Sequence, residues 1–189
     1  MELVGIEHRE HRVKQALEKF HRVYKYIFID CPPSLNLLTL NAFAAADSVL
    51  IPMQCEYYAL EGLSQLIRTI ERVRGSLNPR LELEGVLVTM FDGRSNLSQQ
   101  VLQEIQRFFG DKVFKTMIPR NIRLAEAPSF GKPVILHDKQ SSGAVAYRDL
   151  ARELIRKHSA LDVPQDAAPA AAPEPAPVEM AGNPGSEHL

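Results

Sequence analysis

Residues 1–160 of this 189-residue chain predict an α/β fold, a mostly parallel sheet flanked by helices. Two observations carry that prediction. Short apolar, β-rich runs recur at 24–30, 48–53, about 85–89 and 113–118. Longer segments with apolar residues at helical spacing separate them, and such alternation gives βαβ units. The loops that leave the strands then gather on one edge, so Asp30, Gln54, Asp92 and Asn121 are expected to share a rim.

The elements follow in order. Val13, Ala16, Leu17 and Phe20 place a helix within 5–20. Tyr24–Asp30 reads as the first strand, and Pro32 and Pro33 stop it because proline lacks the N–H that a ladder needs. Leu35–Ala46 suits a buried helix, with Asn41 as its polar exception. Ser48–Met53 is a second buried strand, with Pro52 near its exit. A loop from Gln54 leads into a helix that runs to about Gly75, with Leu63, Leu66, Ile67, Ile70 and Val73 on one face. Asn78-Pro79 is a turn, and a strand lies within 81–90. A polar loop, 91–96, precedes an amphipathic helix, Leu97–Phe109, which Gly110-Asp111 ends. Val113–Ile118 is the fourth strand, Pro133–Leu136 a short edge segment, and Gly143–His158 the last helix.

From Leu161 onward alanine and proline make up 13 of 29 residues. Such a segment buries too little apolar surface to offset its ordering entropy, so 161–189 is expected to be a disordered, acidic tail. All 22 Lys and Arg residues precede it, and five of the 23 acids lie within it. The overall charge of −1 therefore divides into a mildly basic domain, 22 basic against 18 acidic residues, and an acidic tail. A mildly basic domain permits a nucleic-acid surface without requiring one. No apolar run approaches the length of a membrane span, and the N-terminus is too charged for a signal peptide. Cys31 and Cys55 read as reduced thiols of a cytosolic protein. The six histidines are scattered, with no metal-ligand cluster.

The candidate chemistry centres on Ile29-Asp30-Cys31-Pro32-Pro33-Ser34. Two readings of Asp30 fit the residues. It is an acid at the tip of a buried strand, where ligands bind and where phosphate-handling folds hold Mg²⁺, or it is an Asp that opens a turn. Three further motifs accompany it: Gln-Cys-Glu-Tyr-Tyr-Ala-Leu-Glu-Gly-Leu at 54–63, Ile-Pro-Arg-Asn at 118–121 and Glu-Ala-Pro-Ser at 126–129.

Together, in this order, the four motifs closely resemble the ParA/Soj family of chromosome- and plasmid-partitioning ATPases, deviant-Walker P-loop proteins related to MinD. The resemblance covers nearly all of 1–158. It implies an enzyme that hydrolyses ATP with Mg²⁺, an ATP-dependent homodimer, DNA binding without sequence preference, and a ParB-like centromere-binding partner. It implies a cytoplasmic, nucleoid-associated protein. By position, Asp30 resembles the acid that orients Mg²⁺, Pro119 and Asn121 the loop that touches adenine, and Arg94 and Arg123 the arginines that contact DNA. Arginine forks suit phosphate oxygens; taken alone, the two arginines also read as solvated loop cations. No residue of the chain is assigned as catalytic.

One family feature is missing. The only Gly-Lys pair, Gly131-Lys132, is followed by Pro133, and Glu126 stands five positions before Gly131, so the Walker A pattern fails at both ends. The expectation is a partial P-loop fold that lacks its N-terminal strand and phosphate loop, and a chain that alone neither binds nor hydrolyses ATP. The alternative function is a non-enzymatic DNA-binding or dimerising module derived from such a protein. A MinD-like membrane helix is disfavoured, because the last helix has core-like spacing and an acidic segment follows it.

Overall fold

The computed structural model describes residues 8–159, apart from 33, 35, 57 and 58, with 59–61 through their backbone alone. The expected tail lies outside the described residues. The ordered elements are α1 (Arg12–Leu17), α2 (Leu37–Ala45), β1 (Ser48–Gln54), α3 (Ala59–Ser76), β2 (Glu82–Thr89), α4 (Asn96–Phe109), α5 (Ile122–Glu126), α6 (Val134–His137) and α7 (Ser142–Ser159).

β1 and β2 pair in parallel from Ser48↔Glu82 to Gln54↔Thr89. Side chains alternate across the sheet, and both faces are covered, as a parallel sheet requires. Ile51, Met53, Val86 and Val88 face a core completed by Leu63, Ile70 and Val73 of α3 and by Val101 and Ile105 of α4. Leu50 and Leu87 face the other way, against Phe114, Ile118 and the α7 residues Ala146, Leu150 and Leu154. The register slips once, so that Val49 opposes Leu83 and Leu50 opposes Gly85. Glu84 is the extra residue of this bulge, and a bulge re-aims its side chain. The Glu84 carboxylate meets Lys157 Nζ at 3.0 Å and His158 Nε2 at 2.9 Å, which anchors the end of α7 to the start of β2.

Asn41, the polar exception of α2, is almost fully buried. Its amide donates to the carbonyls of Arg9 (2.8 Å) and Leu37 (2.9 Å), and its oxygen accepts from the Val13 N–H at 3.3 Å, so it fastens α1 to α2. Asn36 caps α2 by accepting from the N–H groups of Leu38 and Thr39.

Three expectations need correction. Tyr24–Asp30 is not a strand: Lys25–Asp30 contains no regular element, and none of the described strands lies beside it. An apolar run becomes a strand only where another backbone receives its hydrogen bonds. Tyr26 instead sets its ring edge-on to His158, with 5.9 Å between centroids. Residues 113–118 run beside β2 but meet it in one isolated bridge, Val86–Val113, and a second bridge, Phe91–Pro119, follows just beyond both segments. The Phe114 and Ile118 N–H groups donate to Val86 and Val88, while Glu153 of α7 accepts from the Lys115 (2.7 Å) and Thr116 (2.9 Å) N–H groups in between. That carboxylate replaces the ladder over two residues. Finally, Pro133–Leu136 is no edge segment. Pro133, with φ −66°, leads into the short helix α6.

Candidate functional site at the strand exits

The chain leaves its parallel segments on one edge, and short bonds hold those exits together. Thr89 Oγ1 donates to the Met53 carbonyl at 3.3 Å. The Phe91 N–H donates to Ile118 at 3.0 Å, and the Arg120 N–H returns to Phe91 at 3.1 Å. Met90, just beyond β2, has φ +49° without being glycine, a backbone conformation that costs energy and that the surrounding bonds enforce.

Two clefts open beside these exits. One, of about 460 Å³, is lined by Phe91, Met117 and Pro119 and by the α7 residues Ser142, Val145, Ala146 and Asp149. The other, of about 290 Å³, is lined by Gln54, Cys55, Met90, Asp92, Arg120 and the first turn of α4. Pro119-Arg120-Asn121 divides them: Pro119 lines the first and Arg120 the second. Asn121 braces the divider. Its oxygen accepts from the Arg123 N–H at 2.9 Å, which caps α5, and its amide donates to Ser142 Oγ at 2.6 Å, which ties α5 to α7.

The expected rim therefore forms in part. Gln54 and Asp92 line one cleft, and Asn121 follows directly on Arg120. Asp30 is exposed and lines neither cleft. Burial, with the Asp30 charge beside it, pushes the Cys31 thiol up from its ordinary value.

Both sequence-predicted arginines carry intramolecular partners. Arg94 grips Asp92 with two parallel bonds, Nε to Oδ1 and Nη2 to Oδ2, each 3.0 Å, and its own N–H adds a third to Oδ1 at 3.1 Å. The Asp92 carboxyl is held down at about 2 by the Arg94 guanidinium and N–H, with the Arg120 charge assisting. Arg123 reaches Glu126 at 2.8 Å and Asp138 at 3.5 Å, and these acids raise its pKa. Sequence reasoning missed these partners. The signals were an Asp two residues before Arg94 in a polar loop and a Glu three residues after Arg123 on a helix.

Among the described residues Pro119 walls an apolar cleft. No glycine-rich loop follows a described strand, and no group of three His, Cys, Asp or Glu side chains that could hold a metal occurs among the described residues. The described residues supply no cradle for a triphosphate with its Mg²⁺.

Comparison with known proteins decides the kinship. A family model described as an AAA domain matches residues 1–83. The chain is 57% identical over 159 residues to the chromosome partitioning protein ParA of Caulobacter vibrioides, covering 83% of this chain and 60% of that protein. It is 60% identical over 154 residues to the sporulation initiation inhibitor protein Soj of Bacillus subtilis, covering 82% and 61%. The chain belongs to the ParA/Soj family. It spans about three fifths of the length of these relatives. Among solved structures it is similar to a cobyrinic acid a,c-diamide synthase from Mycobacterium smegmatis with bound ADP and magnesium, with TM-score 0.68, 36% identity, and coverage of 84% of this chain and 57% of that one. The cell division ATPase MinD of Pyrococcus furiosus, 18% identical with TM-score 0.64 over 78% of this chain and 59% of that one, shares the fold. Among the described residues no helix is long and apolar enough to cross a membrane.

Proposed function

We propose that residues 1–160 form the C-terminal part of a ParA-like partitioning ATPase domain. In the whole protein, ATP with Mg²⁺ joins two copies, the dimer binds DNA without sequence preference, and a ParB-like centromere-binding protein stimulates hydrolysis and release, in the cytoplasm at the nucleoid. Within this chain Arg94 and Arg123 take DNA phosphates, Pro119 and Asn121 border the adenine, and Asp30 orients the metal. The chain alone neither binds nor hydrolyses ATP, because its sequence carries no Walker A loop. The observation that carries this reading is 57% identity over 159 residues to a chromosome partitioning protein.

Two measurements test it. Fluorescence anisotropy of the whole protein with Mg-ATP, on two unrelated duplexes, should give matching affinities that fall steeply with salt. Arg94→Ala with Arg123→Ala should flatten the log–log salt slope by about 2, one for each lost phosphate contact. Sequence-selective binding, or an unchanged slope in the double variant, would remove the DNA assignment. Titration calorimetry with Mg-ATP should show no heat of binding; a tight stoichiometric complex would refute the statement about ATP. The alternative reading is a DNA-binding or dimerising module without catalysis. It gains if DNA binding persists in full without nucleotide.

A further inference from the structure

The two arginines assigned to DNA are not free cations. Each already holds carboxylate, and Arg94 does so in the fork by which a guanidinium holds phosphate. Arg94 presents two adjacent N–H groups to the two oxygens of Asp92, and a phosphate takes that same fork. Arg123 divides its nitrogens between Glu126 and Asp138.

Asp92 and Asp138 are the fixed members of these pairs. Asp92 also accepts from the Arg94 backbone N–H, and its carbonyl accepts from Ser95 at 3.1 Å, so the turn itself positions it. Asp138 accepts from the N–H groups of Gln140 and Ser141, both at 3.1 Å, at the entry to α7. The Arg94 side chain, by contrast, is 92% exposed. An arriving ligand therefore displaces the long, exposed arginine from an acid that stays in place. Arg120, between the two pairs, has no ion-pair partner within 4 Å among the described residues, so the capping is not general along this edge.

We propose that Asp92 caps Arg94, and that Glu126 and Asp138 cap Arg123, as built-in substitutes for DNA phosphate, so that DNA binds by exchanging ion pairs. The proposal rests on the DNA reading above and adds its regulation. The caps lower the affinity of a single encounter, because each new bond to a phosphate breaks an internal pair. They reject isolated anions more strongly than a polyanion, whose many phosphates offset both exchanges at once.

The test is anisotropy of the whole protein with Mg-ATP, on one duplex at one low salt concentration. Asp92→Asn keeps an oxygen for the turn and removes the charge; it should tighten binding about threefold, the scale of one exposed ion pair. Asp92→Asn with Glu126→Gln and Asp138→Asn should reach about tenfold. Glu71→Gln on α3 makes the same charge change as Asp92→Asn away from both pairs and serves as control. In an Arg94→Ala background, Asp92→Asn should tighten binding no more than that control does, since the partner is gone. Thermal melts verify that each variant folds. Weaker or unchanged binding in Asp92→Asn, or an equal tightening without Arg94, overturns the caps and leaves the DNA reading standing. If neither the native whole protein nor its triple variant binds DNA, the DNA reading falls and the caps fall with it.

Discussion

The segments 24–30 and 82–89 are built from the same kind of residue and meet opposite fates. Val86 and Val88 are fully buried in a sheet covered on both faces. Ile27 and Phe28 are 37% and 77% exposed, in a stretch without regular structure. The difference lies in the neighbours. β2 has β1 on one side and 113–119 on the other, whereas 24–30 has no strand beside it among the described residues. β-propensity is a preference for a pleated, half-buried surface, and it has force only where such a surface exists. The sheet half should therefore respond sharply to substitution and the 24–30 stretch hardly at all.

The largest effect is expected at Gly85. A Cβ there would stand 2.5 Å from the Lys112 carbonyl oxygen and 2.9 Å from the Phe114 ring. Backbone cannot yield as a flexible side chain can, so Gly85→Ala must push 112–114 away from β2. We expect a loss of about 3 kcal/mol, read from a urea melt. An Ala variant as stable as the native chain would mean that 112–114 is not held against the bulge.

Glu84 comes next. Burial pushes its carboxyl upward, but the hydrogen bonds and charges of Lys157 and His158 outweigh that and leave it below its ordinary 4.5. A group whose pKa is depressed on folding contributes stability above its unfolded value and loses it as pH falls through the folded value. Glu84→Gln should cost about 2 kcal/mol at neutral pH, the scale of hydrogen bonds to a charged group. The gap from the native chain should narrow below pH 4.5, and a gap that stays constant through that range would exclude this carboxylate as its source.

These two sites also mark what the sequence disclosed. The strands at 48–54 and 82–89, the long helices and the Gln54–Asp92 edge were legible, because apolar period and loop polarity are local properties. The slip that frees Glu84 was not, since register depends on which residue of another strand stands opposite. Arg94 and Arg123 were legible as candidates, but not their partners. Asp92 is a neighbour in the turn, but Asp138 reaches Arg123 from 15 residues away through the fold. The strand expected at 24–30 failed for a related reason: a sequence displays the apolar run but not whether anything lies beside it.

Glu153 offers a finer test of the same contrast, because it holds 113–119 by means other than a ladder. Burial raises its carboxyl, and the Thr116 and Lys115 hydrogen bonds with the Lys157 charge bring it below the ordinary value. Glu153→Gln keeps one acceptor and should cost about 1 kcal/mol. Hydrogen exchange should speed at Lys115 and Thr116 before it speeds at Phe114 or Ile118, whose N–H groups bond to β2. Equal acceleration at all four would show that 113–119 opens as one piece.

The smallest effect is expected at Phe28, and it separates propensity from partnership most directly. Its side chain is more exposed than that of Val88 by more than three quarters of its surface. Phe28→Ser removes apolar area that is already in water, so the transfer free energy is small, and stability should change by no more than about 0.5 kcal/mol. Val88→Ser removes fully buried area and places a hydroxyl in an apolar core, a change of several times that size, about 3 kcal/mol. Hydrogen exchange supplies the backbone half of the contrast. Among the described residues the N–H groups of Ile27–Asp30 donate to no backbone carbonyl, so they should exchange near the rate of an open chain, while those of 86–88 approach the global limit. Slow exchange at 27–30, together with a large penalty for Phe28→Ser, would mean that this stretch is covered in solution by another backbone, and the contrast between the two segments would disappear.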